Sequence, residues 1–306
     1  YTVISVATHK EWITIELQPH KQYWRYINGG WRLRTQPRLK IDHRQRRIYV
    51  YFVFEKEVKA YRPRGWISID VNENNVTVLV DDKAFKFVTM LRKVVERYHR
   101  HRRRIQEKFV ISINGKKFPL SSIWRRAMSR LRERERKVDW RRKIASIIVK
   151  TAKELGYGIV VERLPKRAQE NMINGVGNSI LRHRIYQASF RGMVKMIREV
   201  AEKHGVPIIE VNPRHTSQTC PVCGFRPMTR SAGRVMTCPR CGFSHDRDVI
   251  ACMNLLRHLV NEGSVPLSPR PNDSTLEVAV LPMKEWTRAK SLEATINNPK
   301  IHGMNL

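Results

Sequence analysis

Acid is what this sequence lacks most. Only 27 Asp and Glu stand against 59 Lys and Arg, a formal net charge of +32. Few enzymes of small metabolites tolerate such a deficit, because the charges repel one another and the surface collects polyanions. Nucleic acid is therefore the first partner expected, with an anionic membrane surface second. Long apolar runs are also missing. No stretch of about 18 apolar residues occurs, which excludes a transmembrane helix. No basic-then-apolar leader opens the chain, so secretion has no support. No internal repeat of useful period is present. Cysteine is scarce, and four of the five are gathered into two C-x-x-C pairs. A secreted disulfide framework would scatter them, so the pairs point to a reducing compartment and a metal. What remains is sufficient for folding. Hydrophobic residues make up 41% of 306, enough for a sizeable core and too many for wholesale disorder. The chain begins at Tyr1 in strand-like sequence and reads as a fragment whose natural start is missing.

Residues 1–62 read as strands. Ile13, Ile15 and Leu17 alternate with polar residues, and Ile48 to Phe54 is an unbroken β-branched and aromatic run. Next come Trp66 to Asp70, Val76 to Val80 and Phe85 to Val88. Two turns rich in Asn and Asp join them into an antiparallel meander. Residues 90–156 change to helical spacing, with Leu91, Val94, Val95, Tyr98, Ile105 and Phe109 on a 3.6 period and a second helix from about Ser122 to Leu155. Gly158 to Glu162 and Val206 to Val211 read as further strands, separated by a helix over 178–203. Asp248 to Val260 is an amphipathic helix with acid at its N-terminus, where the dipole favours it. From Gly263 the tail is rich in Pro, Ser and Asn and reads as extended.

The base is unevenly spread. Between Arg92 and Lys143 there are 20 Lys and Arg and 5 Asp and Glu, a surplus of 15 and almost half of the net charge. A solvated helix face serving solubility alone would interleave acids. Arg100, Arg102, Arg103, Arg104, Arg125, Arg126, Arg130 and Arg134 are instead read as phosphate contacts, together with Arg132 and Arg136. Trp124 and Trp140, nearby, are read as packing rather than stacking residues.

Two groups of residues carry chemistry. Cys220-x-x-Cys223 and Cys238-x-x-Cys241 are separated by fourteen residues, and each pair is followed by a glycine, Gly224 or Gly242. Four thiolates in two close pairs suit tetrahedral Zn²⁺, and the small residue lets backbone amides turn toward the sulfurs. Cys252 reads as a buried thiol. The second group is Asp70 and Glu162 at strand ends, with Asp246 or Asp248 at a helix start. Each alone is a weak signal, but their order is that of ribonuclease H-like proteins, whose carboxylates converge on two divalent cations. Glu210, which also ends a strand, is read as structural.

At this point the sequence resembles a known family. Thr216 to Gly224, Cys238 to Phe243 and Asp246-Arg247-Asp248 look like the C-terminal signature of TnpB, the transposon-encoded RNA-guided DNA nucleases related to type V CRISPR effectors. The likeness extends back through Ile159 to Glu162 and Trp66 to Asn72, and covers roughly residues 40 to 260. The tail and the Asn72 to Asn75 turn look most like archaeal members.

The resemblance implies an α/β, RuvC-like nuclease domain over 63–218, interrupted by the Arg-rich helices of about 90–156. A zinc ribbon would follow at 219–243, the last nuclease helix at 244–262 and an extended tail at 263–306. Residues 1–62 would be the remainder of a β-rich wedge domain that holds guide RNA. Asp70, Glu162 and Asp248 would be the catalytic, Mg²⁺-binding triad, with Asp246 as alternative to Asp248. The implied cofactors are one structural Zn²⁺ and two Mg²⁺. The implied partners are guide RNA transcribed from the transposon end and target double-stranded DNA, in a prokaryotic cytoplasm and away from membranes. Ile250 and Cys252 depart from the usual Asn-Ala-Ala of the final helix, and Asn72 from a frequent Gly. Asp70 also lies nearer the start of the chain than in family members. A non-catalytic nucleic-acid-binding relative is the alternative function, and an unrelated basic zinc-ribbon protein a third.

Overall fold

A computed structural model describes residues 2–43, 45–89, 91–119, 121–165, 167–261 and 277–281. The chain divides into two units, residues 1–59 and 60–306. In the first, β1 (Thr2–Ala7) and β2 (Trp12–Leu17) form a hairpin. Next come α1 (Lys21–Asn28), β3 (Arg32–Leu33), β4 (Arg38–Asp42), β5 (Arg47–Tyr51) and β6 (Phe54–Glu55). β4 pairs with β5, and β3 with β6. Helix α1 interrupts the strand sequence expected over 1–62. Its aromatic residues suit a strand in isolation. Here Tyr23 meets Phe52 and Phe54 edge-on and Tyr26 stacks on Phe54, so tertiary packing overrides local preference.

The second unit is built on a six-stranded mixed sheet. β7 (Trp66–Val71), β8 (Asn75–Val80) and β9 (Lys83–Val88) form the antiparallel meander. An insertion follows: α2 (Leu91–Lys108), a hairpin of β10 (Val110–Ile113) and β11 (Lys116–Pro119), then α3 (Ser121–Ser129) and α4 (Glu133–Leu155). β12 (Gly158–Glu162) returns to the sheet parallel to β7. The helices α5 (Ala168–Ile173), α6 (Ser179–Ala188) and α7 (Phe190–His204) lead to β13 (Ile208–Val211), parallel to β12. A three-stranded sheet of β14 (Thr229–Ala232), β15 (Val235–Thr237) and β16 (Ser244–Asp246) precedes α8 (Arg247–Asn261). Finally β17 (Glu277–Leu281) joins the sheet edge parallel to β9, within the expected tail. The rest of 263–306 lies outside the described residues. The main sheet runs β13-β12-β7-β8-β9-β17.

Two-residue alternation divides the sheet into two faces. Ile67, Ile69, Val76, Val78, Phe85, Phe87, Ile159 and Val161 pack with Ile144 and Ile148 of α4 and Met193 and Ile197 of α7 into the main core. The opposite face carries Ser68, Asp70, Thr77, Leu79, Ala84, Lys86, Val160 and Glu162, between the residues of the first. Helix α8 covers it, with Val160 against Leu255 and Leu259 and Leu79 clustered with Val249, Ile250 and Met253. Gly158 starts β12 because the Trp66 ring lies against it: an added Cβ would come within 2.4 Å of that ring. Among the described residues no helix is long and apolar enough to cross a membrane.

Candidate metal centres

The register across the sheet sets out the acidic centre. Asp70 on β7 pairs with Thr77 on β8, and Thr77 with Lys86 on β9. On the other side Val161 pairs with Ile69, so one residue further along the two parallel strands stand Glu162 and Asp70. Glu162, Asp70, Thr77 and Lys86 thus share one rung on the face under α8. Neighbouring strands are about 4.8 Å apart, so the two carboxylates stand side by side. The first turn of α8 adds Asp248, which is buried, as is Asp70.

These carboxylates are held in place. Asn72 Nδ2 donates to Asp70 Oδ2 at 2.6 Å. Asp246 caps α8: its Oδ1 accepts the backbone N–H of Asp248 at 2.9 Å. Lys86 Nζ lies 2.7 Å from Asp246 Oδ2 and 3.5 Å from Asp248 Oδ2, and Arg234, from the β14–β15 turn, contacts Asp248 Oδ1. Burial, then the charges of Glu162 and Asp248, push the Asp70 carboxyl well above its ordinary range, against the opposing effects of Asn72 and Arg234. Burial raises Glu162 to about 7 despite a hydrogen bond from Thr216.

The group fits a divalent cation. Fully ionised, Asp70, Glu162, Asp246 and Asp248 would carry four negative charges against the two positive charges of Lys86 and Arg234. Asp248 Oδ2 is buried and accepts no hydrogen bond. Buried acids in this state are unfavourable until a cation or protons join them. The carboxylates are neighbours rather than a closed cage. Among the described residues only the four thiols bring three or more Cys, His, Asp or Glu ligand atoms all within 4.8 Å of one another.

Those thiols are Cys220, Cys223, Cys238 and Cys241. Cys220 Sγ is 3.6 Å from Cys241 Sγ, and Cys223 Sγ is 3.6 Å from Cys238 Sγ. A tetrahedral Zn–S₄ site with 2.3 Å bonds has edges of about 3.8 Å, so the spacing is right. The two pairs are built alike. The N–H of Gly224 donates to Cys220 O and that of Gly242 to Cys238 O, both at 3.0 Å, and the two glycines sit at φ +76° and +75°. Helix α8 ties this group to the acidic one. Asn254 Nδ2 donates to the carbonyls of Thr216 and Thr219 at 2.6 and 2.7 Å, and Arg257 Nη1 to those of Cys220 and Pro221. Cys252 is buried and its Sγ approaches the Thr77 carbonyl at 3.6 Å.

The arginines expected on the insertion lie on its helices and the loop before α4. Arg100, Arg103, Arg104, Arg125, Arg126, Arg130 and Arg134 are exposed, with Arg103 paired to Glu107. Arg102 is half-buried and engaged by His183 at 3.0 Å and Glu133 at 3.4 Å. Trp140 packs on the core. Glu210 pairs with Arg198, away from the rung. Sequence reasoning missed Lys86, Arg234 and Asn254, and named Thr216 only as the start of the signature, without its hydrogen bond to Glu162. Lys86 alone left a signal, a charged residue inside the apolar run of β9.

The architecture is an α/β sheet bearing acids on one rung, with a four-thiol group that could hold a metal ion pinned to the helix above it. That fold is shared with a solved structure, the mini-RNA-guided endonuclease CRISPR-Cas_phi3, at a TM-score of 0.54 and 15% identity over 87% of this chain and 58% of that one. Residues 190–255 match the family described as Cas12f1-like, TNB domain. A TnpB-like protein of Methanocaldococcus jannaschii is 26% identical over 69% of this chain and 75% of its own length, and a putative transposase of that organism 36% identical over 33% and 94%. The CRISPR-associated endodeoxyribonuclease Cas12f1 of Syntrophomonas palmitatica is 30% identical over 40% of this chain and 22% of its own. The chain belongs to the TnpB family.

Proposed function

We propose that the chain is an RNA-guided DNA endonuclease of a transposon, hydrolysing DNA phosphodiester bonds at Asp70, Glu162 and Asp248. The observation that carries this reading is the rung: Asp70 and Glu162 side by side, facing Asp248 on α8, all three partly or fully buried. The strand order supports the RuvC-like assignment, because an antiparallel meander continued by two parallel strands is the ribonuclease H-like arrangement. Residues 63–218 with 244–262 would be the nuclease domain, 219–243 a zinc ribbon, and 1–62 part of a wedge domain.

Asp70, Glu162 and Asp248 would hold two Mg²⁺ ions, which when bound supply an activated water and neutralise charge at the scissile phosphate. The protein's own contribution is orientation. Asn72 fixes one oxygen of Asp70, Thr216 holds Glu162, and the Asp246 cap sets the first turn of α8 and hence Asp248. Arg234, half exposed, has reach to the surface above Asp248. Zn²⁺ at the four thiols would be structural, holding the segment that Asn254 and Arg257 fasten to α8. Guide RNA and target DNA would lie along the exposed arginines of the insertion, with sequence read by base pairing. DNA as substrate implies a place at the prokaryotic nucleoid.

A second reading, a non-catalytic RNA- and DNA-binding protein of the same lineage, is favoured by one observation: two cations, Lys86 and Arg234, already sit on Asp248. The same experiment decides between them. Purified protein is sequenced for bound nucleic acid, then assayed with that RNA on matching duplex DNA in Mg²⁺. RNA from a transposon end, and cleavage lost in Asp70→Ala with RNA binding retained, supports the nuclease. Cleavage that survives in Asp70→Ala sinks the site assignment, and a wild type that binds but never cuts supports the second reading.

A further inference from the structure

At the start of α4 lies a cavity of about 550 Å³, bounded by α2 and by the corner between α6 and α7. Five cations line it: Arg102, Arg132, Arg134, Lys137 and Arg141. Two carboxylates, Glu133 and Glu135, oppose them, leaving a surplus of three positive charges. Glu133 is engaged, with Lys137 Nζ at 2.5 Å and Arg102 Nη1 at 3.4 Å. Glu135 is exposed.

Arg141 is the unusual member. Its residue is only 9% exposed, its Nε has no hydrogen-bond partner, and among the described residues no carboxylate pairs with its guanidinium. Its contact is with the Trp140 ring, at 5.7 Å. A largely buried guanidinium with no carboxylate beside it and an unpartnered Nε is costly to hold, so such groups are normally paired. The fold makes room for it. A Cβ at Gly192, in the first turn of α7, would stand 3.3 Å from Arg141 Nη1 and 2.4 Å from Ser189 Oγ. Glu133, Lys137 and Arg141 recur every four residues, so one face of α4 points along the cavity. The helix itself adds positive potential there. Arg132 at its N-cap position makes no side-chain cap bond, and a 23-residue helix begins with unsatisfied N–H groups and the positive end of its dipole.

We propose that this cavity is a binding site for one phosphate group of a polynucleotide backbone, with Arg141 as the buried anchor and Lys137 and Arg102 beside it. It rests on the reading that the inserted helices contact nucleic acid. A planar guanidinium offers the paired donors that phosphate oxygens match, and the anion supplies the charge that Arg141 lacks. Backbone phosphate is favoured over a free anion because exposed Arg132 and Arg134 continue the basic surface outward from the cavity, as a strand entering and leaving it requires.

The test uses the full chain and the variant Arg141→Met, which keeps the bulk and removes the charge. Binding of a single-stranded RNA of about 20 nucleotides is measured by fluorescence anisotropy at several salt concentrations, with the thermal midpoint of the free protein. Inorganic phosphate is titrated in parallel and followed by ³¹P line broadening. The expected result is a midpoint equal to or above the wild type's, several-fold weaker RNA binding, and a salt slope shallower by about 0.7 for the one phosphate lost. A purely structural arginine would give a lower midpoint and the wild-type slope, which overturns the proposal. Arg141-dependent broadening by inorganic phosphate with an unchanged RNA slope also overturns it, in favour of a free anion. Wild-type binding that is insensitive to salt overturns the nucleic-acid reading of the insertion and this site with it. If Arg141→Met does not fold, Arg141→Lys, which keeps the charge but removes the paired planar donors, is measured instead and is expected to weaken RNA binding, and unchanged binding there overturns the proposal.

Discussion

Replacing Lys86 by Met should destabilise the protein without divalent cations and make its stability depend on Mg²⁺ more steeply than the wild type's. The Lys86, Asp246 and Asp248 side chains are 10, 16 and 2% exposed, so solvent screens this group little. Taking one partner from a buried ion pair costs about 3–5 kcal/mol, because the remaining charge stays buried and uncompensated. Two contacts soften the loss: Arg234 remains on Asp248, and Asp246 keeps the helix amide it caps. The lower end, about 3 kcal/mol, is therefore expected. At roughly 2–4 °C per kcal/mol for a unit of this size, the melting temperature in chelator should fall by about 6–12 °C. Mg²⁺ acts the other way. A ligand at a hundredfold excess over its Kd contributes about 2.7 kcal/mol, and the more negative variant should bind the cation more tightly. Differential scanning calorimetry with chelator and then with rising Mg²⁺ reads both effects. Equal melting temperatures in chelator, or equal Mg²⁺ responses in the two proteins, would refute the idea that Lys86 neutralises these acids.

Further outcomes are expected. Metal analysis of the purified wild type should find one zinc per chain, and Cys238→Ser should lose it together with thermal stability. Asn254→Ala should cost roughly 2–4 kcal/mol in a denaturant titration, since it strips the buried carbonyl of Thr216 and the partly buried one of Thr219 of their donor. Changing Arg125, Arg126 and Arg130 together to Gln should flatten the salt dependence of RNA binding by about two units while leaving the melting temperature near the wild type's. An unchanged slope would remove these arginines from the interface.

The parts of the fold set by local pattern were open to reading. The meander and the two parallel strands follow from β-branched runs bounded by Asn- and Asp-rich turns, and the thiol knuckles from the repeated Cys-x-x-Cys-Gly. The β10–β11 hairpin corrects the helical reading of 90–156: its only signal is Asn114-Gly115, at φ +51° and +73°, between two short β-prone segments. The helical period through Ile105 and Phe109 carries the eye past it. Breaks in the long helices are less visible. Arg132 and Ser189 adopt left-handed backbone conformations with no glycine to mark them. For the acidic centre, the sequence offers the strand ends and the helix start, but the shared rung depends on strand register. Lys86 and Arg234, which decide the charge of the centre, come from a strand and a turn that meet it only in three dimensions. β17 has no signal except its alternation, since its partner β9 lies nearly two hundred residues earlier.

That last pairing also sets a timetable for synthesis. Leu281 of β17 is fully buried in the main core, against a strand that ends at Val88. A ribosome adding about 5–20 residues per second needs roughly 10–40 s to pass from one to the other. Throughout that interval β9 waits with an unpaired edge, the kind of surface that recruits strands from other chains. Its lysines, Lys83 and Lys86, are the only charges it carries to discourage such partners. Nascent chains stalled before residue 277 should therefore be the most adhesive form of this protein.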